Sequence, residues 1–157
     1  MPEDIFESMM NDNIEKTTED KDMQKYLTFM SGKLVYGITI ENVVEIITNY
    51  TITKLPMVPD YVKGIMNLRG QIVPIVDIKQ LMCNSCCEKT SDTCIIILEV
   101  DAISIGILVD TVLQVINIKA KVSAPPLKNH EFVSGMVNLA GGTVMSCLDC
   151  QLLVNAK

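Results

Sequence analysis

The chain repeats itself, and that restricts its fold more than any other feature. Tyr61-Val62-Lys63-Gly64-Ile65-Met66-Asn67-Leu68-Arg69-Gly70 aligns without a gap with Phe132-Val133-Ser134-Gly135-Met136-Val137-Asn138-Leu139-Ala140-Gly141. Upstream, Gly37 to Ile47 aligns in the same way with Gly106 to Ile116. The offset between copies is 69 residues there, 71 at the Tyr61 stretch and 72 from Asp77 to Asp149, so insertions are small and fall between elements. Two matches in one order at nearly one offset mark a duplicated unit. Each unit carries about five short β-rich runs, too few to bury both faces alone. Two small barrels packed side by side over a shared core would satisfy both copies.

The Tyr61 stretch and its continuation to Asp77 read as two strands around a Leu68-Arg69-Gly70 centre, with Gly70 free to take the positive φ of a tight turn. Both copies keep the glycines and the Asn-Leu pair, but Arg69 becomes Ala140 in the second. The turn therefore does not need an arginine, and Arg69 is the only arginine in the chain. A guanidinium at a hairpin tip suits recognition of a carboxylate or carbonyl, because its donors lie in a fixed plane. A solvated ion pair of little energy fits the residues equally well.

Charge separates the first residues from the rest. Residues 1–22 hold eight acids and two lysines, which accounts for the whole net charge of −6. Their apolar residues cluster at Ile5, Phe6, Met9 and Met10. The composition predicts a segment without stable structure beyond a brief helix, with order beginning near Gln24. The neutral remainder offers no basic face for nucleic acid. No apolar run reaches the ~18 residues of a membrane helix, and no signal-peptide pattern opens the chain, so the expected location is cytoplasmic, without direct membrane insertion.

Residues 25–30 and 34–40 read as strands around a Ser31-Gly32-Lys33 turn. Residues 41–47 suit either a strand or a helical turn opened by Glu41 and Asn42. Pro56 and Pro59 hold an extended connection, and Asp77 is placed to cap a short helical turn over 78–82.

Catalytic machinery is not visible. Asp77 and Asp149 are repeat-related, but Ile78-Lys79 and Cys150-Gln151 follow them in place of the Ser/Thr-Gly loops by which an aspartic dyad shares a proton. His130 is the lone histidine and sits in a Pro-rich loop with no nucleophile motif. No phosphate-binding or dinucleotide glycine pattern occurs, and no cofactor is expected. Cys83, Cys86 and Cys87 between the copies, and the Cys147/Cys150 pair, leave open a metal or redox module on the same barrels. Of these, the Cys83 cluster is the weak metal candidate. Cys147 and Cys150 occupy places held by apolar residues in the first copy, which suggests core packing. Met57 and Met66 are candidates for an adaptable interface.

Taken together, Tyr36-Gly37-Ile38, Val43-Val44-Glu45-Ile46, Pro56, Pro59, Tyr61 to Gly64 and Asn67-Leu68-Arg69-Gly70 through Val73-Pro74-Ile75-Val76-Asp77 resemble the bacterial chemotaxis coupling (CheW) family. The resemblance runs from about Gln24 to Val154. It implies an all-β fold of two tandem SH3-like five-stranded barrels with short helical turns. Residues 1–22 would be a tail and 23–157 the domain, the first barrel about 34–90 and the second about 95–150, with strands exchanged between them. It also implies a non-catalytic adaptor between the cytoplasmic tips of methyl-accepting chemoreceptors and the regulatory domain of the histidine kinase CheA, recruited to membrane-associated receptor arrays. Carried over by motif position, Val43, Glu45, Gly64, Asn67 and Arg69 would lie on or near a receptor-binding groove between the barrels, with Val112 and Val115 from the second copy. Ile40, Pro56 and Met57 would face the kinase.

Overall fold

The computed structural model describes residues 23–83, 90–119, 132–139 and 141–155. Among them the strands are β1 (Met23–Ser31), β2 (Leu34–Thr39), β3 (Val43–Ile47), β4 (Val62–Leu68), β5 (Gln71–Asp77), β6 (Cys94–Val100), β7 (Ile103–Val109), β8 (Thr111–Lys119), β9 (Val133–Asn138) and β10 (Val144–Leu148). Two short helices, α1 (Ile78–Cys83) and α2 (Cys150–Asn155), follow β5 and β10. A 3-10 turn at Ile40–Asn42 precedes β3, so the ambiguous 41–47 segment is a turn and then a strand.

The strands form two five-stranded sheets of the SH3-like kind, in the orders β3-β6-β7-β5-β4 and β8-β1-β2-β10-β9. Each order maps onto the other when every strand is replaced by its repeat equivalent. Each sheet takes three strands from one copy and its other two from the other copy. One barrel is therefore contiguous in sequence, β3 to β7, while the other is split, with β1 and β2 joined by β8, β9 and β10. With strands exchanged between the copies, the contiguous barrel runs from Val43 to Val109 and the other takes strands from both sides of it. The reason lies in β2: its two sides are taken by antiparallel β1 and parallel β10, so the next strand must pair in the other sheet. The same holds for β7 between β6 and parallel β5.

Period-2 alternation explains the long apolar runs. On β6, Cys94, Ile96 and Leu98 join the core between the sheets, whereas Ile95 and Ile97 fill the contiguous barrel with Met66, Val73, Ile75 and Leu108. The split barrel is filled by Tyr26, Ile118, Met145 and Cys147. Of these, Tyr26, Met145 and Cys147 are the repeat counterparts of Ile95, Val73 and Ile75. Strands buried on both faces need no polar alternation, so their sequence reads as continuous Ile/Val/Leu. The shared core draws on both sheets and on both helices, including Leu27, Phe29, Tyr36, Ile107, Val115 and Leu153.

Both helices are capped alike. Asp77 Oδ1 accepts from the Lys79 and Gln80 backbone N–H groups (3.0 and 3.3 Å), and Asp149 Oδ1 from those of Gln151 and Leu152 (2.9 and 3.3 Å). The repeated aspartates thus serve separate helix starts, not a shared dyad. Asp77 is fully buried and also faces Lys63 Nζ at 3.6 Å.

Candidate interaction site

The β4–β5 hairpin turns on two residues, Arg69 at φ 53° and Gly70 at φ 85°. Positive φ at both centres is the type I′ geometry that matches strand twist. Gly70 was legible as a positive-φ residue; Arg69 was not, because a side chain there carries a steric cost of about 1 kcal/mol. Asn67 Oδ1 fixes the turn by accepting the Gly70 N–H at 2.9 Å.

From this tip the guanidinium folds back to β3. Arg69 Nη1 lies 3.0 Å from Glu45 Oε1 as a charge contact, and Nη2 donates to Oε2 at a longer 3.4 Å. The Glu45 side chain is only 10% exposed, whereas Arg69 is 69% exposed. A carboxylate so far withdrawn from water needs a cation beside it, and the arginine retains open surface for a further partner. β3 and β4 are the two outer strands of their sheet, so the pair links the sheet's opposite edges.

Beside the hairpin, residues 51–55 lie along β4, with Thr53 and Ile65 exchanging backbone hydrogen bonds of 2.8 Å each way. Gly64 sits under this crossing at φ 148°, and a Cβ there would strike the Thr53 carbonyl. Gly64 therefore shapes the site through its backbone and offers no side-chain contact. The segment continues into Leu55, Pro56 and Met57, all exposed, and Met57 at φ 59° is the most exposed of the large apolar residues described.

The valines named from sequence are less accessible than a groove contact requires. Val43 and Val115 are buried in the core between the sheets, at 9% and 7% exposure, and Val112 packs partly buried against it. They lie on β3 and β8, the outer strands on that side of each sheet, so they support a surface more than they present one. The exposed apolar residues of those strands are Val44 (42%) and Leu113 (41%), which are repeat equivalents. Both fall where strand pairing slips, Val43 to Glu45 in β3 and Val112 to Val115 in β8. A bulge of this kind is not encoded in hydrophobic alternation, which is why these two were missed. Ile72 and Val144, a second equivalent pair, are likewise exposed and went unnoticed. Ile40 is half-buried against the shared core.

Met66 is a correction. It is buried inside the contiguous barrel, because β4 directs Met66 inward between the outward Ile65 and Asn67. The described cysteines behave as core residues: Cys94, Cys147 and Cys150 are buried free thiols. Burial pushes the Cys94 and Cys150 thiols up to about 11, and it also raises that of Cys147, whose partner is the Tyr26 side chain. Among the described residues no group of three or more His, Cys, Asp and Glu is placed to hold a metal. Cys86, Cys87 and His130 lie outside the described residues, as does the Cys83 side chain.

The comparisons with known proteins bear on the family and the fold. The family profile of the CheW-like domain matches residues 25–157, which takes in both sheets. The chain belongs to the CheW-like family. It is 35% identical over 139 residues to the Chemotaxis protein CheW of Klebsiella aerogenes, covering 85% of this chain and 83% of that protein. With the Chemotaxis protein CheW of Treponema pallidum the identity is 31% over 140 residues, with coverage of 83% and 82%. Among solved structures, the crystal structure of scaffolding protein TtCheW from Thermoanaerobacter tengcongensis superposes with a TM-score of 0.74 at 31% identity, over 80% of this chain and 88% of that one. Within the CheW-like domain, no described helix is long and apolar enough to cross a membrane.

Proposed function

We propose that this protein is a non-catalytic chemotaxis scaffold that couples methyl-accepting chemoreceptors to the regulatory domain of a CheA-type histidine kinase. The observation that carries the reading is the extent of the CheW-like match, which spans both sheets and the hairpin that holds Arg69. An adaptor must offer at least two surfaces, and the duplicated fold has two barrels on which to carry them.

The receptor surface in this reading centres on Arg69 and Glu45, with Asn67 and Gly64 setting the hairpin's shape and Val43, Val112 and Val115 backing it from the core. A helical receptor tip would lay apolar side chains beside β3 and β8 while Arg69 fixes its register through a carboxylate or carbonyl. Pro56 and Met57, exposed on their loop, suit the kinase contact, with Ile40 beside them in role. The expected location is the cytoplasm, at membrane-associated receptor arrays.

The test is a titration of this protein against the isolated regulatory domain of the CheA kinase from the same source, and separately against the receptor tip. Saturable one-to-one binding to both supports the reading. Absence of binding to either at high micromolar concentration means that the fold has been kept and the role changed.

A further inference from the structure

Gln24, Lys25, Thr39, Ile40 and Glu41 line a cavity of about 280 Å³ where the first residues of β1 meet the 3-10 turn before β3. Ile40 is the large apolar side chain among them, half-buried and with its other side against the shared core. The cavity adjoins the point at which residues 1–22 join the fold, since β1 begins at Met23, paired with Lys119.

The geometry points to an occupant supplied by the chain itself. We propose that the Ile5-Phe6-Met9-Met10 cluster is an intramolecular ligand of this cavity and covers Ile40 from the same chain. Three observations converge on it. The cluster is the densest apolar group of an acidic segment whose other large apolar residues are Met1 and Ile14, and its spacing of one and four residues is that of one face of a helical turn. Phe6 stands 17 residues before Met23. A flexible segment of that length has a root-mean-square span of about 23 Å, enough to turn back to its own origin at a high effective concentration. The flanking charges suit the rim. Asp4 and Glu7 can face Lys25, while Lys21, next to the junction, can face Glu41.

The consequence rests on the function proposed above: if the kinase uses the Ile40 surface, residues 1–22 compete for it. The experiment separates the two levels. Amide and isoleucine-methyl NMR spectra of the full chain are compared with those of Phe6→Ser and Ile40→Ala, with no partner present. Docking predicts shifts at Gln24, Lys25, Thr39, Ile40 and Glu41 in Phe6→Ser, and loss of Phe6-to-Ile40 methyl contacts. Ile40→Ala, which leaves the segment intact, should bring the residue 5–10 amides to the positions they show in a synthetic 1–22 peptide. Spectra of Phe6→Ser that match the parent outside residues 1–22 overturn the proposal. Ile40→Ala with unchanged residue 5–10 amides overturns it as well. In a second arm, Phe6→Ser should bind the kinase regulatory domain several-fold more tightly. Docking without that gain overturns the competition alone, and absence of kinase binding by either protein counts against the scaffold reading instead.

Discussion

Arg69 and Glu45 meet across the open side of one sheet, guanidinium to carboxylate at 3.0 Å, with the acid withdrawn from solvent and the base in it. The two change together between the repeats: Gln114 stands where Glu45 would be, and Ala140 where Arg69 would be. The asymmetry shows that the fold does not require the pair. It leaves the contiguous barrel with a charged edge that its duplicate lacks.

Arg69→Ala is therefore expected to cost stability of only about 1 kcal/mol, less than a fully buried pair because the arginine is mostly in water. Part of the loss is the unpaired Glu45 carboxylate, so on a Glu45→Gln background the same change should cost less. Chemical denaturation of the four proteins of this cycle measures the coupling. Receptor-tip binding should fall in every variant lacking Arg69, including those whose stability is unchanged. A loss of several kcal/mol with binding intact would assign the arginine to structure alone.

Gly64 tests the crossing that sets the hairpin's position. Gly64→Ala drives a methyl into the Thr53 backbone carbonyl, which cannot rotate away, at a backbone angle that side chains rarely adopt. A loss of about 2–4 kcal/mol is expected. Gly141→Ala is the control: its φ is 84°, but nothing lies within 4 Å of the added carbon. It should cost about 1 kcal/mol, from conformation alone. Urea midpoints compare the two.

The duplicated glycines Gly37 and Gly106 face the interiors of their separate barrels. A Cβ on Gly37 meets the Met145 thioether at 2.5 Å, whereas one on Gly106 meets Ile75 Cδ1 at 2.5 Å and Ile95 Cγ2 at 2.8 Å. Methionine has three rotatable bonds and can yield; two branched isoleucines on neighbouring strands cannot do so as easily. Gly106→Ala should therefore destabilise by about 1–2 kcal/mol more than Gly37→Ala, as read from thermal unfolding.

Much of this architecture was legible in sequence for one reason: duplication. The 69-to-72-residue offset located the hairpins, the helix caps and the core positions, because each copy acted as a control on the other. Strand partnership was harder to read. Nothing in Leu34 to Thr39 says that its parallel neighbour will be residues 144–148, and a barrel boundary drawn between the copies follows from sequence order alone. The candidate site residues divided along the same line. Arg69 stood out as the arginine that the second copy lacks, whereas Glu45 was named only by the family resemblance. Val44 and Leu113 were missed because a bulge moves residues off the alternation that reveals strand faces, and Met66 was misplaced because methionine suits a core and a surface equally.

The thiols give a test with a pH sign. Cys94 and Cys150 are held near 11 in the folded protein, against about 9 for a free thiol, and burial is the main cause in both. Folding thus disfavours their thiolates. The stability tied to keeping them protonated is complete below pH 9 and is lost as pH rises from about 9 to 11, because the unfolded chain releases those protons first. Native protein at pH 8 should leave Cys94, Cys147 and Cys150 unlabelled by an alkylating reagent over minutes, and unfolded protein should label all three at once. Tandem mass spectrometry reads each site, with Cys147 and Cys150 told apart by fragmenting the one tryptic peptide, residues 129–157, that carries both. Fast labelling in the native state would mean that the split barrel, for Cys147, or the shared core under α2, for Cys150, opens far more readily than its packing implies, and would return that Cys-x-x-Cys pair to consideration as a reactive site.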